Sequence, residues 1–339
     1  MSEVDVVYVR PGGQGWGPID ELARLCALLL PSARLTTLVD DGDVGPHRKL
    51  GRWVPSPQRG DRALLFLAPS PAHLARAARR AHWLPGYAVR AAWVIDSFWT
   101  DRIAAFARHG GHFDHIFVTD RDLVDTWERS SGTPVSWLPW GSDTLQIGSV
   151  NSSRPTDLLR LGRQPVAWDD DETLRREGAR LGLDVEGRPP MAAETRVNQQ
   201  LVRAALLRSK FVLAFSNLVS PASYTHPTRE YLTGRWMDAL AAGTTVVGAA
   251  PDAASYTLWP GATLEVDPTD LRGGLELVAD AARRWAATDA AEQHARARAQ
   301  LDWRWRIADM SRVLGLPTTP DLHAELALLT RTPDGRDDD

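Results

Sequence analysis

With 339 residues, 43% of them hydrophobic, and a net charge of −4, the chain has the makeup of a globular protein of two domains rather than of a dedicated nucleic-acid binder. No apolar run approaches the roughly 20 residues of a membrane span, and the acidic opening MSEVDVVYV enters a strand at once instead of forming a signal peptide. A single cysteine, Cys26, excludes an internal disulfide framework and fits a reducing cytoplasm; on the apolar face of a predicted helix it reads as a small core residue.

Residues 4–9 form an apolar run expected as a buried strand. The glycine-rich segment RPGGQGWGP follows, with Gly12, Gly13, Gly15 and Trp16, and a helix opens near Pro18, where proline suits a first turn. This spacing is not the G-x-G-x-x-G dinucleotide fingerprint, although Asp40, Asp41 and Asp43 follow the next strand at 35–39. A nicotinamide site, a bend that lets a substrate approach the backbone, and a plain turn all remain open here. Strand and helix then alternate: strands at 63–67, 89–95, 115–118 and 135–138, helices at 71–81 and 123–129, and a cap at Thr100 or Asp101. Such alternation predicts a parallel sheet covered on both faces. Ligands then gather beyond the carboxyl ends of the strands, which singles out the 10–17 loop, 96–99, Thr119-Asp120 and the PWGSD turn at 139–143. His109, His112 and His115 straddle a loop and a strand start, a placement that favours surface roles over metal ligation.

The small polar run GSVNSSRPTD, 148–157, reads as a linker. Beyond it the pattern restarts, with strands at 158–161, 211–215, 244–247 and 262–266 and helices at 171–181, 197–208 and 267–285. A long helix is expected over 290–314, and the tail after Pro317 is expected to include a short helix and to be disordered toward its end, DGRDDD. The run Asp169, Asp170 and Asp171 reads as a helix cap and solvated face. Fourteen tryptophans exceed ordinary usage; core packing accounts for most, but flat indole faces also stack on sugar rings.

The most informative stretch is THPTREYLTGRWMDALAAGTTVV, 225–247. A loop should enter a helix near Gly234 and leave it near Gly243, where glycine takes the left-handed C-cap conformation. Gly234 permits close approach of a ligand, and the helix start and the Arg235 guanidinium both suit phosphate. Asp238, one turn further, is an acceptor suited to ribose hydroxyls, and Glu230 stands on the preceding loop. The competing reading is an ordinary amphipathic helix with a solvated Arg235–Asp238 pair.

Taken in order, these motifs resemble the GT-B glycosyltransferases, specifically the group-1 retaining family with its E-x7-E signature. Glu230 to Asp238 followed by Ala-Leu-Ala-Ala-Gly resembles E-x7-E-A-M-A-C-G; Leu138-Pro139-Trp140-Gly141-Ser142-Asp143 resembles its I-P-N-G-V-D turn; Leu161-Gly162-Arg163 resembles its G-R turn. The helix containing DWRWR, 302–306, resembles the terminal helix that returns to the first domain. The resemblance implies an α/β protein of two Rossmann-like, doubly wound parallel-sheet domains facing a cleft. The acceptor-side domain would span 1–147, the linker 148–157, the donor domain 158–300, the crossover helix 301–318 and the tail 319–339.

It also implies roles. Glu230 contacts the donor sugar, Asp238 the ribose hydroxyls, and Arg163 clamps the diphosphate. Asp96, where the family often has a histidine, orients acceptor or sugar. Gly162, Ser216, Asn217, Thr233 and Gly234 complete the donor side, and Gly12, Gly13, Gly15 and Trp16 form the acceptor-side loop. Such enzymes need no metal and no cofactor; the nucleotide-diphosphate sugar is a co-substrate, and the acceptor is a glycan, a lipid-linked sugar, a small molecule or a nucleobase. Three departures stand out: Asp238 replaces the second glutamate, Tyr231-Leu232-Thr233-Gly234 replaces the usual Gly-Phe-Gly, and QPVAWDDD lacks the lysine that follows the G-R arginine. Arg235 is the residue placed to supply that charge. A nucleotide-sugar epimerase or hydrolase on the same fold, a non-catalytic nucleotide- or sugar-binding partner protein, and, more remotely, a nicotinamide dehydrogenase are the alternatives.

Overall fold

The computed structural model describes residues 3–39, 60–80, 86–103, 113–147 and 153–331, without the side chains of 14, 39 and 76–80. Asp40, Asp41, Asp43, His109, His112 and the acidic tail lie outside the described residues. The chain divides into two compact units, 1–139 with 303–327, and 140–302 with 328–339.

The first unit is built on a six-stranded sheet in the order β2-β1-β3-β4-β5-β6. Its strands are β1 Glu3–Arg10, β2 Arg34–Val39, β3 Arg62–Ala68, β4 Val89–Val94, β5 His115–Val118 and β6 Val135–Trp137. All pairings are parallel. β3 is buried along its whole length, as near-continuous apolar runs in a doubly covered sheet require. Helix Gly17–Leu29 covers the sheet with Ile19, Leu22, Cys26 and Leu29, and burial pushes the Cys26 thiol well above its ordinary range. Trp303, on helix Trp303–Leu314, meets Trp93 of β4 edge-on at 5.8 Å. The chain order switches direction between β1 and β3, so the loops after these strands flank a crevice of the kind in which doubly wound sheets bind ligands.

The second unit has a five-stranded sheet in the order β11-β10-β9-β7-β8, again all parallel. Its strands are β7 Thr156–Arg160, β8 Val185–Glu186, β9 Ser209–Leu213, β10 Thr245–Gly248 and β11 Thr263–Glu265. The two-residue β8 carries too little periodicity to be seen in sequence. Here the switch lies between β7 and β9.

Four expectations change. Residues 153–157 are not a free linker: Arg154, 4% exposed, donates to the carbonyls of Leu206, Ser209 and Ala242 and to Thr244 Oγ1, which closes two helix ends. The helix expected over 290–314 is two helices, Ala287–Gln300 and Trp303–Leu314. The break is held by Asp302, fully buried, whose carboxylate accepts from the amide and the hydroxyl of Thr144, while Ser142 N donates to Leu301 O at 2.9 Å. These bonds also draw the turn at 140–143 into the second unit, so the division between units falls at 139–140 rather than near 147. Finally, Asp170 caps helix Asp171–Arg180 as expected, but Asp169 and Asp171 pair with Arg160, which is 1% exposed; an unpaired cation there would be costly.

Candidate functional site

The second unit gathers its polar groups at the switch point. β7 runs out into Leu161-Gly162-Arg163, and β9 into Ser216-Asn217. Gly162 has φ +74°, the left-handed region, and a Cβ there would fall 2.2 Å from Arg235 Nη2. A side chain at 162 is disfavoured by the backbone conformation and would also have to displace the guanidinium that lies on it.

Arg235 is the second residue of helix Gly234–Ala241, whose N-cap residue Thr233 makes no side-chain cap bond. Burial, and next the neighbouring Arg163, lower the Arg235 guanidinium to about 10. Arg163 stacks over the Tyr224 ring at 4.8 Å, and its Nε and Nη1 are buried without a hydrogen-bond partner. Among the described residues, neither Arg163 nor Arg235 has a carboxylate in ion-pair range. Two neighbouring half-buried cations, one of them with buried donors unspent, favour an anion opposite them.

The loop 216–230 presents Glu230. Ser216, 2% exposed, donates to Glu230 Oε1, and its hydroxyl accepts from Leu218 N at 3.2 Å. Asn217 donates to the carbonyls of His226 and Arg229 at 2.9 and 2.8 Å. His226 Nδ1 accepts from the amides of Thr228 and Arg229, so this nitrogen is unprotonated and the bend before Glu230 is fixed. The loop is thus braced from within at Ser216, Asn217 and His226.

Asp238 is held from two sides. It is 3% exposed, with Ser142 donating to Oδ1 at 2.6 Å and Gln199 to Oδ2 at 2.5 Å. Burial raises its carboxyl, against Arg203 and these two bonds. Through these bonds the carboxylate joins the 140–143 turn to helix Thr195–Leu207, one turn along the helix from Arg235. The helix ends as expected: Gly243 has φ +74°, Thr244 N bonds Ala239 O, and a Cβ would meet Ala290 O at 2.5 Å.

In the first unit, Asp96 follows β4 and its amide donates to Pro69 O after β3. Burial raises its carboxyl to about 7, with no hydrogen bond to that carboxyl among the described residues. Beside it, Thr119 Oγ1 donates to Ile95 O and Trp127 Nε1 to Ser97 O, so the strand ends are tied together. Gly12, Gly13 and Gly15 are exposed, with open space where a Cβ would stand, and Trp16 is half-buried. His115 pairs with Ser136 at 2.9 Å. No cluster of three or more His, Cys, Asp or Glu among the described residues could hold a metal, and no described helix is long and apolar enough to cross a membrane.

The structure brings Gly162, Arg163, Gly234 and Arg235 together in the second unit. Ser216, Asn217 and Glu230 form a braced loop there. Asp96 and the glycine-rich loop belong to the first unit. Sequence reasoning missed Tyr224, whose exposed ring lies under Arg163, and Arg188, whose charge adds to that on Arg235; neither sits in a recognisable pattern.

The fold is that of the GT-B glycosyltransferases. It is similar to Anabaena Alr3699/HepE in complex with UDP, at 12% identity, 92% of this chain and 99% of that chain covered, TM-score 0.58. The same Anabaena protein with UDP-glucose matches at 10% identity, 92% and 99% covered, TM-score 0.56. The α,α-trehalose 6-phosphate synthase of Burkholderia multivorans matches at 12% identity, 99% of each chain covered, TM-score 0.52. Within the chain, residues 152–312 match the family model described as Glycosyl transferase-like, a span that contains the whole Gly162–Asp238 constellation. No curated protein sequence matches the chain.

Proposed function

We propose that this protein is a glycosyltransferase that moves a sugar from a nucleotide-diphosphate donor to an acceptor, with retention and without metal, in the cytoplasm. The observation that carries the reading is the pair Arg163 and Arg235 against Gly162, two cations without a carboxylate at the switch point of the second unit. A diphosphate there takes four or more charge-assisted hydrogen bonds, and the charge that grows on it as the glycosidic bond breaks is met by fixed donors. Glu230, braced by Ser216, positions the donor sugar. Gly162, Thr233 and Gly234 allow the phosphates to reach backbone amides. Asn217 acts one step back, by fixing the loop. Asp96, with its raised carboxyl, orients the acceptor hydroxyl beside Gly12, Gly13, Gly15 and Trp16; the acceptor is a glycan, a lipid-linked sugar, a small molecule or a nucleobase.

The UDP and UDP-glucose complexes of the Anabaena structures support uracil as the first base to test. The experiment is a thermal shift of the full chain with UDP, GDP, TDP and ADP, with and without EDTA. Binding to the native state raises Tm by mass action. A rise with one diphosphate, insensitive to EDTA and lost in Arg235→Ala, supports the proposal. No rise with any of them overturns it. A second reading, a nucleotide-binding protein without turnover, is favoured by the occupied Asp238 carboxylate; it predicts the same shift but no release of nucleoside diphosphate from a sugar nucleotide in the presence of any acceptor.

A further inference from the structure

A cavity of about 370 Å³ opens at the other end of the second sheet. Its lining includes Thr245 and Thr263, the first residues of β10 and β11, whereas Gly162 and Ser216 follow the carboxyl ends of β7 and β9. From Phe211, also in the lining, to Ser216 the chain runs five residues, about 16 Å of strand rise. The volume is within the range of small-molecule sites, about 300–1,000 Å³.

The walls and the rim have different chemistry. Trp259, Trp285 and Phe211 provide aromatic surface. Trp259 is fixed, because its Nε1 donates to Gln293 Oε1 at 2.7 Å, while Gln293 Nε2 donates to Gly261 O at 2.6 Å. Trp285 is held near Lys210, whose Nζ lies 5.5 Å from its ring. The rim carries Arg284 and Arg296 with Asp289 and Glu292, both signs in equal number, and Arg296 pairs with Glu292 at 2.5 Å. An excess of cations would mark an anion site, and an unbroken apolar wall would mark an acyl chain; neither is present. Indoles bordered by guanidinium donors and carboxylate acceptors suit a ring that is apolar on its C–H faces and hydroxylated at its edge.

We propose that this cavity is a second, non-transferring saccharide site, which takes a neutral mono- or disaccharide unit between Trp285 and the Gln293–Glu292–Arg296 face. It is independent of the donor proposal. If the acceptor is a glycan, the site holds a distal part of the same polymer and raises its local concentration.

The test titrates the full chain with maltose, cellobiose and chitobiose to tens of millimolar, followed by tryptophan fluorescence and saturation-transfer NMR. The expected result is binding of at least one disaccharide. Trp285→Ala should weaken it at least roughly tenfold, Gln293→Ala should weaken it by releasing Trp259, and Arg235→Ala should leave it intact. Absence of binding by all three sugars, or binding indifferent to Trp285→Ala, overturns the proposal. So does a Trp285→Ala chain that turns from dimer to monomer in sedimentation, since a second copy would then be the occupant. Should Trp285→Ala lower Tm, Arg296→Ala and Glu292→Ala replace it, with the same expected loss. A parallel UDP titration of each sample separates failure here from failure of the donor reading.

Discussion

Asp96 offers the sharpest quantitative test. Its carboxyl is raised by burial from an ordinary 3.8 to about 7. The folded protein therefore keeps the Asp96 proton over a range in which the unfolded chain has lost it. The folded state binds more protons between these two values, so this group makes stability fall as pH rises from about 4 to about 7, and level off above. At about 1.4 kcal/mol per pH unit the full difference is about 4 kcal/mol, and contact of the half-buried side chain with water reduces it to about 2–4 kcal/mol. Asp96→Asn is close in shape to the protonated acid and carries no charge to desolvate. It should be more stable than wild type by about 1 kcal/mol or less at pH 4.5 and by about 2–4 kcal/mol at pH 8. Urea unfolding of both proteins at the two pH values reads this directly. A substitution that destabilises at pH 8, or whose effect does not change with pH, refutes the argument from desolvation. If Asp96 orients the acceptor as its anion, the same variant loses turnover, and wild-type activity rises through about pH 7.

Other outcomes follow from the second unit. Arg235→Met should keep or raise Tm, because it removes a desolvated cation beside Arg163, yet weaken UDP binding at least roughly tenfold in a calorimetric titration. Gly162→Ala should cost about 1–3 kcal/mol in urea unfolding through its left-handed φ and the clash with Arg235. Combining it with Arg235→Ala should recover part of that cost, a non-additivity that independent sites would not show. Asp238→Ala should cost about 2–4 kcal/mol by stranding Ser142 and Gln199, while Asp238→Asn should hold UDP within roughly threefold of wild type. A loss of UDP affinity in Asp238→Asn as large as that in Arg235→Met would return this residue to the ribose.

The sequence by itself determined the two alternating α/β halves, because a buried parallel strand must be apolar along its length and each crossover helix amphipathic. It also determined the cap at Gly243, since only glycine takes φ +74° there without strain. Two parts of the candidate site were legible locally, Gly162-Arg163 and the Glu230–Gly234–Arg235 run. The fact that they meet, with Arg235 lying on Gly162, depends on strand order and was fixed by the tertiary structure alone. The same holds for Asp238: spacing places it one turn into the helix, but which face is buried, and that Ser142 and Gln199 take both its oxygens, follows from packing between segments 39 and 96 residues away in the chain. Asp302 breaks what reads as one continuous helix for a similar reason, because its partner Thr144 is 158 residues distant. Periodicity and capping are local and are written in the chain; hydrogen bonds that close over such distances appear only once the sheet has set the order of its strands.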